Sequence, residues 1–344
     1  MTRCVFFQLC KLLGFFRLSR YLTRNHLRIL AYHGIWFTDG HYGNHLFMSP
    51  HKFESRMEWL KNAGYPIISL NQAINSLTTS NLSPYSTVIT IDDGWYGSYL
   101  HMLPIIEKHK FPATLYVYTG AVDSQKALQN ILLPALIHLS KMEKIYFHFQ
   151  DNNRQSPHDL GCTFKRQEIT EKVLTILETL NETEVEDFCR DITSQLGFDF
   201  DKIIQTRQFS FMNYEEISDA NNRGLDIQLH TDSHRLNIKY PEKITQEIKL
   251  NREKLRPHVS SSLNHFCYPS GIHSSKMYSL LQKSKIKSAT LIDTGLVTNK
   301  SNKYALKRIL DGQDISLLEF EAEMSGFLEI LRKIRRLSSS KKLF

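Results

Sequence analysis

The stretch Ser86-Thr-Val-Ile-Thr-Ile-Asp-Asp-Gly94 limits what this chain can fold into more than any other. Its β-branched, apolar run predicts a strand covered on both faces, as in a parallel sheet sheathed by helices. Asp92 and Asp93 stand at the C-terminal end of that strand, and Gly94 lets the chain turn sharply after them. In α/β folds, chemistry gathers at the C-terminal ends of parallel strands. Neighbouring residues there point in different directions, so one carboxylate can bind a metal while the other handles a proton. Taken alone, Asp-Asp-Gly reads more readily as a polar surface turn. The rest of the chain decides between the two.

Strand and helix patterns alternate on both sides of this stretch. Strands are expected at 27–35, 65–70, 86–91 and 112–118, with a helix opening on Ser49 as N-cap and Pro50 in the first turn. Between about 121 and 208 the rhythm changes to long helical patterns around one short strand (145–149) and a polar loop (150–157). This reads as a helical insertion. Alternation resumes at Asn213 and Glu216, which occupy capping-box positions. Further strands follow at 225–230, 265–268, 288–292 and 305–310. The chain therefore divides into a basic amphipathic segment (1–26), an α/β body (27–311) and a C-terminal helix with a basic tail (312–344).

Charge is unevenly spread. The formal balance is +8, yet residues 1–28 carry six Lys/Arg and no acid, and residues 330–344 carry six more, again with no acid. Removing these twelve leaves 31 basic against 35 acidic residues, so the body is mildly acidic and offers no nucleic-acid-binding face. The basic ends, with Phe6, Phe7, Leu12, Leu13, Phe15 and Phe16 among the first group, favour peripheral contact with an anionic membrane. The first apolar run, 5–16, is interrupted by Gln8 and Lys11 and has no small-residue cleavage site, so a cytoplasmic or peripheral-membrane location is expected. Five scattered cysteines without a C-x-x-C pair argue against a disulfide framework or a thiolate zinc site.

Two further stretches bear on chemistry. Leu225-Asp-Ile-Gln-Leu-His-Thr-Asp-Ser-His234 ends a strand on His230 and places His234 four residues on. At that spacing, on a turn or helix start, two imidazoles can face one metal. With 15 histidines in the chain the spacing alone is weak. Joined to a strand-end carboxylate it supplies three ligands and leaves positions open for water and substrate, the layout of a catalytic site. In His265-Phe-Cys-Tyr-Pro-Ser-Gly271, Pro and Gly force a tight turn that can aim a backbone N–H at a developing oxyanion.

Together these residues resemble the polysaccharide deacetylase family, the NodB-homology carbohydrate esterases. Thr90-Ile-Asp-Asp-Gly94 is similar to the first family motif, His230-Thr-Asp-Ser-His234 to the His-[Ser/Thr]-x-x-His motif, and Phe266-Cys-Tyr-Pro-Ser-Gly271 to the third. The resemblance implies a distorted (β/α) barrel, Asp92 as catalytic base, and Asp93, His230 and His234 as ligands of a divalent metal, usually zinc. It places Pro269 and Ser270 at the substrate groove and oxyanion contact, with Tyr268 and Trp95 as further substrate contacts. There are three departures, the first being Ser270 where many members have an aromatic residue. Cys267 stands where many members have arginine, and the final Leu-x-His motif reads Leu306-Lys307-Arg308. Leu30-Ala-Tyr-His-Gly34, with Met48-Ser-Pro-His-Lys-Phe53, resembles the poly-N-acetylglucosamine deacetylase subgroup, in which the acid histidine comes from the first strand; that makes His33 the general acid. The implied activity is removal of acetyl from N-acetylated sugars of a glycan. The alternatives are hydrolysis of another N-acyl bond and a glycan-binding pseudoenzyme.

Overall fold

A computed structural model describes residues 3–36, 46–125, 129–147 and 156–340. Among them, seven parallel strands close into a barrel: β1 (Arg28–Tyr32), β2 (Thr87–Ile91), β3 (Ala113–Val117), then, after the two-stranded hairpin of β4 (Lys144–Phe147) and β5 (Ser156–Asp159), β6 (Asp226–Leu229), β7 (His265–Cys267), β8 (Ser288–Thr294) and β9 (Leu306–Leu310). The order is β1-β2-β3-β6-β7-β8-β9, and β9 returns to β1 with Leu30 opposite Ile309. Every residue of β1, β2 and β3 is buried, because one face of each strand looks into the barrel and the other onto a helix. This is the α/β architecture expected, a distorted (β/α) barrel.

The helix signals act locally as read. Ser49 accepts from the Lys52 N–H ahead of helix Pro50–Asn62, and Asn213 and Glu216 close a capping box on helix Tyr214–Asn222. One expected strand does not form. The segment 65–70 makes a single parallel bridge, Ile67 to Thr87, before helix Leu70–Thr78 begins. Pro66 has no N–H to offer a ladder, and the Ser69 side chain caps the helix by accepting from Gln72, so the β-branched pair Ile67-Ile68 is left too short for a strand. The polar loop at 39–45 and most of the loop at 150–157 lie outside the described residues, as do Lys341 and Lys342.

The chain between β3 and β6 carries helices Gln129–Leu139, Thr163–Leu177 and Glu182–Gln195 besides the hairpin. Its core includes Leu132, Leu136, Ile169 and Ile192 and runs on into Trp36, Phe47, Trp95 and Phe211, aromatic residues of the barrel rim. On its return to the barrel this chain grips the Asp-Asp-Gly turn. The Met212 N–H donates to Gly94 O (2.9 Å), the Tyr96 N–H donates to Ser210 O (3.0 Å), and Trp95 stacks on Phe211 with centroids 4.2 Å apart. This returning segment therefore fixes the turn on which both carboxylates sit.

Candidate active site

His33 follows β1, Asp92 and Asp93 follow β2, His230 follows β6, and Cys267 ends β7, so the C-terminal rim collects them all. Asp93 Oδ1 lies 3.3 Å from His230 Nε2 and 3.4 Å from His234 Nε2. The three ligating atoms fall within 4.8 Å of one another. His230 Nδ1 is taken by the Cys267 carbonyl at 2.8 Å, which turns Nε2 toward Asp93. Trp95 Nε1 donates to Asp93 Oδ2 at 3.0 Å and so leaves Oδ1 for the histidines. One carboxylate and two imidazoles, with outer partners orienting Asp93 and His230, is a donor set that fits a divalent cation with open positions.

The His230–His234 segment is a strained turn and not a helix start. Thr231 and His234 both have positive φ (69° and 57°), as do Asp93 (77°) and Ser270 (53°), so four of the ten positive-φ non-glycine residues among the described residues lie on the three motif segments. The surroundings hold the turn in place. Glu247 accepts from the Asp232 and Ser233 N–H groups (3.0 and 2.9 Å), and Thr119 Oγ1 donates to Asp232 (2.6 Å). Asn251, fully buried on helix Lys243–Leu255, accepts from the His230 N–H and donates to Val117 O and Thr119 Oγ1. The ring of Tyr118 lies 4.7 Å from that of His234.

Asp92 points the other way, into the barrel, and meets Arg308 of β9. The guanidinium grips both carboxylate oxygens, Nη1 to Oδ1 at 2.7 Å and Nη2 to Oδ2 at 2.6 Å. Its remaining donors reach Leu291 O (2.7 Å), Thr90 Oγ1 (3.0 Å) and Cys267 Sγ (3.2 Å). All five N–H donors of a fully buried arginine are thus used. Arg308 thus reaches Asp92 from β9, passing beside the small Cys267 side chain at the end of β7. Arg308 was legible only as an alternating position, since residues 306 and 308 share the inward face of the strand.

Burial opposes ionisation of Asp92, but Arg308 outweighs it and holds the carboxyl below its ordinary value. Asp93 is held well below its ordinary value, because the hydrogen bonds from His230 and His234 overcome the same burial. Burial pushes His33 down despite the pull of Asp92 and Asp93. His33 Nε2 lies 3.5 Å from Asp92 Oδ2, and its Nδ1 is buried without a partner among the described residues. A second possible metal grouping, Asp92 with His230 and Cys267, is blocked by the Arg308 cation already seated on Asp92.

The expected substrate contacts fare differently. Ser270 is exposed on the turn after β7. Tyr268 is fully buried with its hydroxyl donating to Tyr304 O (3.0 Å), Pro269 is buried, and Trp95 is 3% exposed and engaged with Asp93 and Phe211. All three are buried behind the rim, and Tyr268 and Trp95 are held there by partners.

Residues 79–289 match the family described as polysaccharide deacetylase. The chain belongs to the polysaccharide deacetylase family. A poly-beta-1,6-N-acetyl-D-glucosamine N-deacetylase of Staphylococcus aureus (strain MRSA252) is 26% identical over 137 residues, 40% of this chain and 47% of the relative. The chain thus spans about half the length of the curated relatives of this description that it matches. Among solved structures, the Streptococcus pyogenes deacetylase PplD superposes with a TM-score of 0.58 at 16% identity, covering 88% of this chain and 99% of that one. IcaB from Ammonifex degensii gives 0.55 at 15% identity, covering 87% and 97%. At such identities these two speak for the fold, and the family's barrel is what they share with this deacetylase-family chain.

Proposed function

We propose that this chain hydrolyses the acetamide of N-acetylated sugar residues in a glycan, with a divalent metal, zinc by the nature of the donors, held by Asp93, His230 and His234. The observation that carries the reading is the convergence of those three donors beside a second, separately held carboxylate. Bound there, a divalent cation supplies Lewis acidity toward the acetamide carbonyl and the attacking water. Asp92 takes the proton from that water; Arg308 uses one lone pair on each oxygen, which leaves Oδ1 a site to accept, while the weakly donating Cys267 thiol stands 3.5 Å from Oδ2. Trp95 keeps Asp93 turned toward the histidines. We assign the oxyanion contact to the backbone N–H of Ser270, on the exposed turn after β7. Because burial keeps His33 neutral at rest, the proton it gives the leaving amine is the one Asp92 removed, passed across their 3.5 Å separation. The poly-N-acetylglucosamine deacetylase among the relatives supports an N-acetylglucosamine polymer as the first substrate to try.

The test is amine release from β-1,6- and β-1,4-linked N-acetylglucosamine oligomers by chelator-treated protein, with zinc, cobalt or nickel restored. Release that returns with metal supports the reading. Full metal binding with no amine release from any N-acetylated glycan overturns it in favour of another N-acyl substrate or a binding protein.

A further inference from the structure

The two helices that precede the barrel, Arg3–Leu12 and Phe15–Leu22, are apolar on more faces than packing requires. Phe7, Cys10 and Phe16 point inward and form a small core with Ala322 and Phe327 of the last two helices. A second row points outward: Val5, Leu9 and Leu12 at spacings of four and three on the first helix, then Phe15, Leu18 and Leu22 at three and four on the second. Leu12 is 78% exposed, and eight of the nineteen large exposed hydrophobics among the described residues fall between Val5 and Leu22. So dense an apolar surface, in so short a stretch, marks an interaction face.

Charge says what covers it. Residues 1–38 contain no acid. The acids of the neighbouring C-terminal helices are already engaged: Glu319 by Arg3 (3.1 Å), Glu321 by Lys11, Glu323 by Arg332 (2.8 Å) and Glu329 by Lys333 (3.7 Å). Four of the twelve terminal cations are therefore compensated, and Arg20 and Arg28 are spent as latches. Arg20 donates to Ala63 O (2.7 Å), and buried Arg28 donates to Met324 O (2.7 Å) and Thr23 Oγ1 (2.9 Å). Of the six cations in residues 1–28, that leaves exposed Arg17 within the apolar row and half-buried Arg24 beside it, which stacks on Tyr21 at 4.2 Å and donates to the Tyr21 carbonyl at 3.2 Å. Packing two copies face to face would set these cations against each other with no acid between them. An anionic lipid surface instead takes the leucines into its acyl boundary and the arginines at its headgroups. No helix among the described residues is long and apolar enough to cross a membrane, so the pair would lie in the interface.

We propose that helices Arg3–Leu12 and Phe15–Leu22 form one docking face for an anionic membrane surface, driven by apolar insertion and oriented by Arg17 and Arg24. The full chain is sedimented with phosphatidylcholine vesicles, with and without phosphatidylglycerol, alongside the triple variant Leu9→Ser/Leu12→Ser/Leu18→Ser and the single variant Arg17→Glu. Wild type should partition to the anionic vesicles. The triple variant should lose about tenfold or more, and Arg17→Glu should lose affinity for the anionic vesicles alone. These side chains are exposed, so thermal unfolding of the variants should match wild type. Sedimentation equilibrium of each protein is run in parallel. Unchanged partitioning of the triple variant, or absent vesicle uptake with a dimer that this variant dissociates, overturns the proposal.

Discussion

At the scale of single residues, the pair Asp92–Arg308 concentrates most of the risk. Both side chains are buried, and the carboxylate depends on the guanidinium for its charge. Arg308→Met leaves Asp92 buried and uncompensated, which typically costs about 3–5 kcal/mol. Adding Asp92→Asn removes the stranded charge, so the double variant should recover part of that loss in urea unfolding. Equal stabilities for the Arg308 variant and wild type would show that the pair does not carry the charge. The two ends of the contact also separate chemistry from metal binding. Asp92→Asn should bind metal normally, because Asp93, His230 and His234 are untouched, yet lose about 10²–10⁴-fold in turnover. Arg308→Lys keeps the charge but cannot grip both oxygens, so metal content should stay full while turnover falls.

At the scale of elements, the rim is built from turns that tolerate little added bulk. Gly120, just after β3, donates its N–H to Asp232 O at 2.7 Å, and a Cβ there would sit 2.5 Å from the same oxygen. Backbone cannot swing aside as a side chain can, so Gly120→Ala should push the His230–His234 turn off Asp93. We expect a stability loss of about 1–3 kcal/mol and a metal affinity lower by about tenfold or more, read by competition with a chelating dye. Unchanged affinity would mean that the turn relaxes independently of β3. The same geometry explains what could be read beforehand. Asp92 and His230 were legible because a parallel strand dictates where the residue at its C-terminal end lies, while Asp93 and His234 sit on the turns beyond and were legible from motif spacing. The assignment of Tyr268, Pro269 and Trp95 to the substrate rests on the family resemblance alone, not on the local chemistry of these residues. Only tertiary partners, Tyr304 O for one and Asp93 with Phe211 for another, turn them inward. Arg308 escaped for the opposite reason, since a cation in a strand reads as exposed until its buried carboxylate is known. The segment 65–70 has strand-forming residues, and Pro66 together with a serine cap outweighed them.

At the scale of the whole molecule, the barrel carries a titrating group that ties its stability to pH away from the catalytic rim. His265 opens β7 and is 1% exposed; its Nδ1 meets Ser288 Oγ at 2.8 Å, and its Nε2 is buried without a partner among the described residues. Burial, helped by Lys287, pulls its pKa down to about 3, against 6.5 for the free side chain. Below pH 6.5 the unfolded chain therefore takes up a proton that the folded one refuses. Stability is complete above that point and falls by about 1.4 kcal/mol per pH unit until about pH 3. From neutrality to pH 5 this one group should cost about 2 kcal/mol. Asp92 and Asp93, whose carboxyls are held low, act with the same sign further down the acid limb, while Asp226 and Asp311, pushed up by burial, act against it. These four are common to wild type and to His265→Asn, which keeps a polar atom near Ser288 but cannot titrate. Urea unfolding of both proteins at pH 7.5 and pH 5 isolates the histidine. The variant should be less stable than wild type at pH 7.5 and should lose about 2 kcal/mol less on acidification. Parallel pH dependence in the two proteins would show that His265 takes up its proton in the folded barrel as readily as in the unfolded chain.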